Sequence, residues 1–215
     1  MLTVPVAGES LVLLPEKAAF WPAAGTLFVA DPHWGKAAAF AAGGLAVPQD
    51  GLFADLDRLG RALDRTAATR LVVLGDLFHA RSGKSPAVLD AVSEWRSGRT
   101  GLDVLLVRGN HDLHAGDPPA GWGFAVAGEA EAGPFALRHH PEEVAGRYVL
   151  CGHVHPAVTL SGAGRQRLRL PCFFVGERVG ILPAFGGFTG TATLKPTGRD
   201  RVFVVADDEV IAVGR

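Results

Sequence analysis

The sequence predicts one mixed α/β domain spanning residues 1–215. Short apolar runs rich in β-branched residues recur along the chain and are typical of buried strands. In the first half these runs alternate with helical patterns, whereas after Phe135 short strands and Gly/Pro turns dominate. At this length the chain can bury a substantial core without disulfides. We therefore expect a mixed sheet system rather than a purely parallel one.

Individual elements follow from local patterns. Strands are predicted at residues 11–14, 26–30, 70–74, 103–107, 135–138, 148–151, 168–175 and 201–206. One helix is predicted from Asp50 as N-cap to about Arg65, because four leucines recur there at core spacing. A second helix is predicted from Ser85 to Arg96, with Ser85 as the cap and Pro86 at the first helical position.

Bulk composition narrows the class of protein. Hydrophobic residues make up 48% and charged residues 20% of the chain, which is typical of a folded globular protein. No apolar run is long enough to span a bilayer, and the first residues lack the basic start of a secretion signal, so a soluble cytoplasmic protein is expected. Cys151 and Cys172 are expected to be reduced and buried. A net charge of −1 gives no global attraction to nucleic acid, so a polyanion would need a local site.

Five of the predicted strands run directly into side chains that can bind a metal ion. These side chains belong to Asp31 and His33, to Asp76, to Asn110, to His139 or His140, and to His153 and His155. Ligand sites in α/β sheets form beyond the carboxyl ends of strands. We therefore expect these residues to converge on one crevice, although they are far apart in sequence.

The types of side chain indicate the chemistry. Carboxylates, imidazoles and one amide, without a thiolate, suit Mn²⁺, Fe or Zn²⁺ better than a structural cysteine-rich zinc site. Seven side chains are too many for one ion, but a pair of ions sharing Asp76 would use Asp31, His33, Asp76, Asn110, His139, His153 and His155. Two such ions can clamp a phosphoryl group and activate water near neutral pH. Hydrolysis of a phosphate ester is the predicted reaction.

These residues together resemble a known superfamily. Asp31-x-His33, Gly75-Asp76, Gly109-Asn110-His111-Asp112, a single downstream histidine and Gly152-His153-x-His155 occur in the order of the calcineurin-like metallophosphoesterases. Within that superfamily the chain is similar to the ligase-associated DNA damage response endonucleases of bacteria. Residues 31–38, 43–48, 75–81 and 182–186 carry this second similarity. The resemblance covers nearly the whole chain.

The resemblance implies a fold, an activity and roles for residues. The fold would be a four-layer α-β-β-α sandwich, with two packed mixed β-sheets flanked by helices. The activity would be a manganese-dependent DNA phosphodiesterase, an endonuclease in DNA repair, functionally associated with an ATP-dependent DNA ligase, a helicase and an exonuclease. One ion would bind Asp31, His33, Asp76 and His155, and the other Asp76, Asn110, His139 and His153. His111 would be a general acid, with Asp112 orienting it.

Other side chains near the strand ends have two interpretations. Lys36, His79 and Arg81 either contact the phosphodiester or are exposed cations and outer hydrogen-bonding groups. His139 is favoured over His140 as the ligand because it follows the strand directly and neighbouring strand residues face opposite sides.

Residues further from the strand ends are ambiguous as well. Trp34 either stacks on a base or belongs to the core. Arg165, Arg167 and Arg169 form either a basic stripe for a DNA backbone or the solvated face of a strand. His114 lies in none of the motifs and is interpreted as structural.

Two other functions compete with a DNA phosphodiesterase. The same metal core would serve a small-molecule phosphodiesterase or a nucleotide pyrophosphohydrolase, because only the surrounding loops choose the ester. A catalytically silent scaffold would keep the fold and bind a partner. The scaffold ranks last, since the seven ligands, His111 and Asp112 are all present.

Overall fold

A computed structural model describes residues 1–45, 47, 48, 50–162, 164 and 166–213. The β-strands in this part of the chain are β1 Leu2–Val6, β2 Glu9–Leu13, β3 Ala19–Trp21, β4 Thr26–Val29, β5 Arg70–Leu74, β6 Asp103–Val107, β7 Ala125–Ala127, β8 Ala130–Ala132, β9 Phe135–Leu137, β10 Tyr148–Cys151, β11 Pro156–Ser161, β12 Arg167–Val175, β13 Val179–Ile181, β14 Ala192–Thr193, β15 Arg201–Ala206 and β16 Glu209–Val213. The α-helices are α1 Lys36–Ala42, α2 Gly51–Thr66, α3 Pro86–Ser97 and α4 Asn110–Ala115.

The first sheet contains β1 to β7 in chain order. Its first four strands pair antiparallel through successive hairpins, whereas β4, β5, β6 and β7 pair in parallel. Parallel pairing brings the carboxyl ends of β4, β5 and β6 to the same edge. The loops after these three strands carry Asp31, Asp76 and Asn110.

The second sheet is also mixed, in the order β14-β11-β12-β13-β10-β9-β8, with β15 paired to β12 and β16 to β15. Its strands β9, β10 and β13 are parallel neighbours, so the ends of β9 and β10 also lie together. Two mixed sheets flanked by helices confirm the predicted fold class. The helices are few: within the described residues all four α-helices precede Gly116.

The main core lies between the two sheets. Phe28 from the first sheet and Phe135 and Phe173 from the second are at most 2% exposed. The ring of Phe135 meets the edge of Trp21 at 5.1 Å between centroids and that of Phe28 at 6.4 Å. The other face of the first sheet is covered by α2 and α3, which bury a separate apolar cluster. The first sheet is therefore buried on both faces, as parallel strands require.

The two helices predicted from the sequence lie within one residue of their predicted bounds in the structure. Ser85 caps α3 by accepting a hydrogen bond from the backbone N–H of Val88, with Pro86 at the first helical position. Asp50 precedes α2 as predicted, but its side chain makes no capping hydrogen bond.

Both cysteines are buried free thiols, as expected. Among the described helices, none has the length and apolar character needed to cross a membrane.

Truncating Phe135 should cost much of the stability of the protein. Phe135→Ala removes the ring that bridges the two sheets, and the free energy of unfolding is expected to fall by about 3–5 kcal/mol. The matched control is Ile211→Ala, because Ile211 is 46% exposed and its truncation should change stability by less than about 0.5 kcal/mol. Urea unfolding measures both. Equal stability of the two variants would show that the sheets do not pack through Phe135.

Candidate metal centre

The loops after the strands are joined to one another by backbone hydrogen bonds. After β4 and β5 end, the N–H groups of Asp31 and His33 donate to the carbonyls of Gly75 and Asp76 at 3.2 and 2.9 Å. The Gly152 N–H donates to the carbonyl of His139 at 3.2 Å, which connects the ends of β9 and β10. The pairing of the sheets thus continues into the loops, and the loops cannot move independently.

Five of the seven predicted ligands have a left-handed backbone. The φ angles are 52° at Asp31, 48° at His33, 52° at Asp76, 66° at His153 and 51° at His155. This conformation is unfavourable for residues with a Cβ and costs about 1–3 kcal/mol at each position. Such strain persists where the surrounding structure dictates it, typically at functional sites. Here it turns successive side chains of Asp31-x-His33 and His153-x-His155 toward the same crevice.

One group of side chains lies around His33. Its Nε2 is 3.3 Å from Nε2 of His155 and 3.7 Å from Oδ2 of Asp76. The Nε2 of His155 is also 3.7 Å from Oδ1 of Asp31. Ligand atoms of Asp31, His33 and His155 are close enough together to hold one ion.

A second group lies around His139. Its Nε2 is 3.0 Å from Oδ1 of Asn110, 3.2 Å from Nδ1 of His153 and 3.5 Å from Oδ1 of Asp76. The two carboxylate oxygens of Asp76 therefore face different groups, Oδ2 toward His33 and Oδ1 toward His139. The structure brings all seven predicted ligands together, with Asp76 between the two groups.

Hydrogen bonds to backbone carbonyls fix the orientation of the rings. Nδ1 of His155 donates to the carbonyl of Gly190 at 3.0 Å, and Nδ1 of His139 donates to that of Leu74 at 3.1 Å. In a neutral ring the other nitrogen then has a free lone pair, which points into the crevice. Outer hydrogen bonds of this kind commonly orient metal-binding histidines.

Two buried carboxylates, those of Asp31 and Asp76, lie in the crevice, which fits a cation. Oδ1 of Asp31 is buried without a hydrogen-bond donor. Burial is the largest influence on the pKa values in the crevice. It raises the pKa of Asp31 and of Asp76. It lowers the pKa of His33 to about 2 and that of His139 to about 4. The rings of His33 and His139 are therefore neutral. Burial alone would also lower the pKa of His155, but the nearby carboxylate of Asp31 outweighs this effect, and the pKa is raised instead. A divalent cation would satisfy the lone pairs and the carboxylates together.

His111 lies at the rim of the crevice. Its Nε2 is 4.0 Å from Oδ2 of Asp76, and its backbone N–H donates to Oδ1 of Asp76 at 2.9 Å. The ring is half-buried, so it can meet a bound molecule. This position suits a group that donates a proton to a substrate held in the crevice.

The carboxylate of Asp112 has other partners than the ring of His111. We expected Asp112 to orient the ring of His111, but its buried carboxylate accepts from the backbone N–H groups of Gly109 at 2.9 Å and Phe78 at 3.3 Å. The carbonyl of His79 holds the ring instead, accepting from Nδ1 of His111 at 2.6 Å. A side chain at the third helical position commonly reaches back to the N-cap, and Asp112 does this at the start of α4.

His139 and His140 occupy different positions around the crevice. His139 is 3% exposed and contacts Asn110, as described above. His140 is more exposed but adjacent, with its ring 4.8 Å from that of His139 and 4.2 Å from that of His153, and its ring nitrogen is close enough to theirs to join in holding an ion. β9 ends at Leu137, so strand alternation does not separate the two histidines. The geometry favours His139 in the inner position.

The three predicted substrate contacts differ in their distance from the crevice. His79 lies beside it, with its ring stacked on His111 at 5.0 Å and edge-on to His33 at 5.5 Å. Lys36 begins α1, and its ammonium group lies 5.9 Å from the ring centre of Phe40. Arg81 is exposed at the start of a short 3-10 turn.

The remaining predictions concern residues outside the crevice. Trp34 is 2% exposed and packs edge-on against Phe78, which confirms its place in the core. Arg167 and Arg169 are exposed on β12, whereas Arg165 lies outside the described residues. His114 is exposed on α4.

Gly152 allows two loops to approach each other closely. A Cβ at this position would overlap Oδ2 of Asp31 and lie 2.7 Å from Cβ of Ala30. The same oxygen of Asp31 accepts from the His153 N–H at 2.8 Å. Glycine is therefore required for Asp31 and His153 to share the crevice.

Gly152→Ala should weaken Mn²⁺ binding tenfold or more, the scale of a disturbed outer contact, because it displaces the Asp31 carboxylate. Isothermal titration calorimetry measures the affinity. Gly101→Ala is the control, since a Cβ at Gly101 would meet nothing within 4 Å and affinity should be unchanged. An unchanged affinity in Gly152→Ala would mean that Asp31 is not a ligand.

Comparisons with known proteins agree with this geometry. Residues 26–154 match the model of the calcineurin-like phosphoesterase family. Among solved structures, a nuclease from Pseudomonas putida called MPE is 41% identical, covers 99% of both chains and superposes with a TM-score of 0.87. Yfce, a phosphoesterase from E. coli, is more distant, with 16% identity, a TM-score of 0.44 and coverage of 87% of this chain and 96% of that one. No match was found among curated proteins. The chain therefore belongs to the calcineurin-like phosphoesterase family, and it is a metal-dependent phosphoesterase.

Proposed function

We propose that this protein hydrolyses DNA phosphodiester bonds with two divalent cations, most favourably Mn²⁺, as an endonuclease in DNA repair. The position of Asp76 carries the proposal: its two oxygens face two separate groups of nitrogen and oxygen donors. A bridging carboxylate between two such groups is typical of a binuclear site. Two cations there would supply Lewis acidity and activate water for attack on phosphorus.

The side chains have distinct roles in this proposal. Asp31, His33, Asp76 and His155 bind one cation, and Asp76, Asn110, His139 and His153 bind the other. His111 carries a proton to the departing oxygen from the rim of the crevice, and the carbonyl of His79 keeps its ring in place. The charge of Lys36 attracts the phosphodiester toward the crevice.

The similarity to a nuclease supports DNA as the substrate. The Pseudomonas putida protein is described as a nuclease, and its similarity extends over the full chain. The family membership and the complete set of polar groups favour an enzyme over a silent scaffold. Functional association with a ligase, a helicase and an exonuclease stays a prediction from the resemblance.

Removing the metal should abolish activity. With excess chelator, hydrolysis of a DNA oligonucleotide is expected to stop, and added Mn²⁺ should restore it, because the cations would supply the Lewis acidity that activates the attacking water. Asp76→Ala should lose both ions and all turnover, since the bridge is gone. Undiminished turnover in chelator would exclude a metal mechanism, and two tightly bound ions in Asp76→Ala would exclude the bridge.

His111→Ala should lower kcat by about 10²- to 10⁴-fold with both ions retained, which is the scale of a lost general acid. Metal content by mass spectrometry and single-turnover rates test this separately. His114→Ala is the control on the same helix, because its side chain is exposed and lies in none of the motifs. Loss of a metal ion from His111→Ala would instead make His111 a ligand.

A substrate panel with Mn²⁺ tests the class of ester. Single-stranded, duplex and hairpin DNA are compared with cyclic nucleotides and phosphomonoesters at equal concentration. The highest kcat/KM is expected on a DNA substrate. A preference for a small ester over every DNA would refute the DNA function and leave a small-molecule phosphodiesterase.

A further inference from the structure

A cavity of about 370 Å³ opens beside the metal centre. It lies between the first turns of α1, α2 and α3, and His33 forms part of its wall. The volume is within the range of about 300–1,000 Å³ that is usual for small-molecule sites. A substrate bound at His33 can therefore extend into this cavity without a rearrangement.

The cavity has aromatic side chains at its edge. Phe53 and Phe188 line it and are 63% and 47% exposed. Sites for small ligands are lined mainly by apolar and aromatic side chains. Flat rings at the mouth of an apolar cavity favour a flat, aromatic ligand.

A row of four rings connects the metal centre with this cavity. It runs from His111 to His79 at 5.0 Å, from His79 to Phe40 at 5.6 Å and from Phe40 to Phe188 at 5.7 Å between centroids. His111 lies at the metal centre and Phe188 at the cavity. A chain of ring contacts thus leads from the candidate metal centre to the wall of the cavity.

Lys36 supplies positive charge on the same surface. Its ammonium group lies 5.9 Å from the ring centre of Phe40 and 5.7 Å from that of Phe188, and Lys36 also lines the cavity. A cation between aromatic rings suits a ligand that has both a phosphate and a flat base.

The loop that carries Phe188 is held in place from α2. The carboxylate of Asp55 accepts from the Gly187 N–H at 3.0 Å, and Arg58 donates to Asp55 at 2.7 Å and to the carbonyl of Phe185. A fixed wall of this kind lowers the entropy cost of binding. This loop follows directly after residues 182–186, a segment of the resemblance that contains none of the proposed metal ligands.

We propose that this cavity is a subsite for one nucleobase, the base next to the phosphate that is cleaved. The base enters the cavity and stacks on Phe53 or Phe188 while its own phosphate lies at the metal centre. The inference rests on the proposed function, because it takes the phosphodiester to be that of DNA. It adds a specific site to that function: the base beside the cleaved bond leaves its stack and packs against the aromatic rings of the cavity.

The test combines a change in the protein with a change in one base. The substrate is a short DNA strand with methylphosphonate linkages everywhere except at one cleavable phosphodiester. Versions of it have a single abasic residue on the 5′ or the 3′ side of that bond. The kcat/KM of the Mn²⁺ enzyme and of Phe53→Ala/Phe188→Ala is measured on each version. Ile211→Ala is the control, because Ile211 matches Phe188 in exposure and lies on β16.

At one of the two positions the missing base should lower kcat/KM of the unmodified enzyme about tenfold, the scale of one base–aromatic stack. On the intact strand, kcat/KM of the double variant should also be about tenfold lower than that of the unmodified enzyme. On that abasic strand, kcat/KM of the double variant should equal that of the unmodified enzyme. The Ile211→Ala enzyme should behave like the unmodified one. If the missing base and the double variant each lower kcat/KM independently, so that the two losses multiply when they are combined, the subsite is overturned, although DNA cleavage itself is unaffected. If the unmodified enzyme does not cleave the intact strand but still hydrolyses a small ester, the proposed DNA function fails, and the subsite fails with it.

Discussion

The burial of two carboxylates in one crevice is the constraint on which the rest of the site depends. Asp31 and Asp76 are at most 2% exposed, and Oδ1 of Asp31 has no donor. Burying such carboxylates is unfavourable unless charge or hydrogen bonds compensate. The rings of His33 and His139 are neutral because burial lowers their pKa, so they supply no positive charge to the carboxylates. A pair of cations would remove the unfavourable electrostatics and create the reactive centre together.

The fold holds this arrangement by controlling the backbone. Parallel pairing puts the ends of β4, β5 and β6 at one edge, and β9 and β10 reach the same crevice from the other sheet. Left-handed residues then turn the ligands inward, at a cost that the packed sheets offset. The left-handed residues lower the stability of the protein but set the geometry of the site, which is typical of strained functional loops.

Much of the site could be predicted from the sequence, because strand periodicity and the residues directly after each strand are local signals. The bounds of β5, β6, β10 and β15 agree with the prediction to the residue. The contact of Asp112 with Phe78 could not be predicted in this way, since it depends on how two loops meet, whereas its contact with Gly109 follows a local capping pattern. Contacts between distant loops have no local sequence pattern.

Other parts of the structure were missed for different reasons. α1 has no apolar periodicity, although its five alanines are strong helix formers and could have indicated it. Strands of two or three residues such as β13 and β14 are too short to show alternation. The row of rings from His111 to Phe188 joins four separate segments, so only the folded chain reveals it.

The spacing of the two ions is the most direct test of the central claim. Electron paramagnetic resonance of the protein with two equivalents of Mn²⁺ measures whether the ions are magnetically coupled. A bridged pair should be about 3.5–4 Å apart and give the spectrum of an exchange-coupled dinuclear centre. A spectrum of two isolated ions at full occupancy would contradict a shared Asp76 bridge.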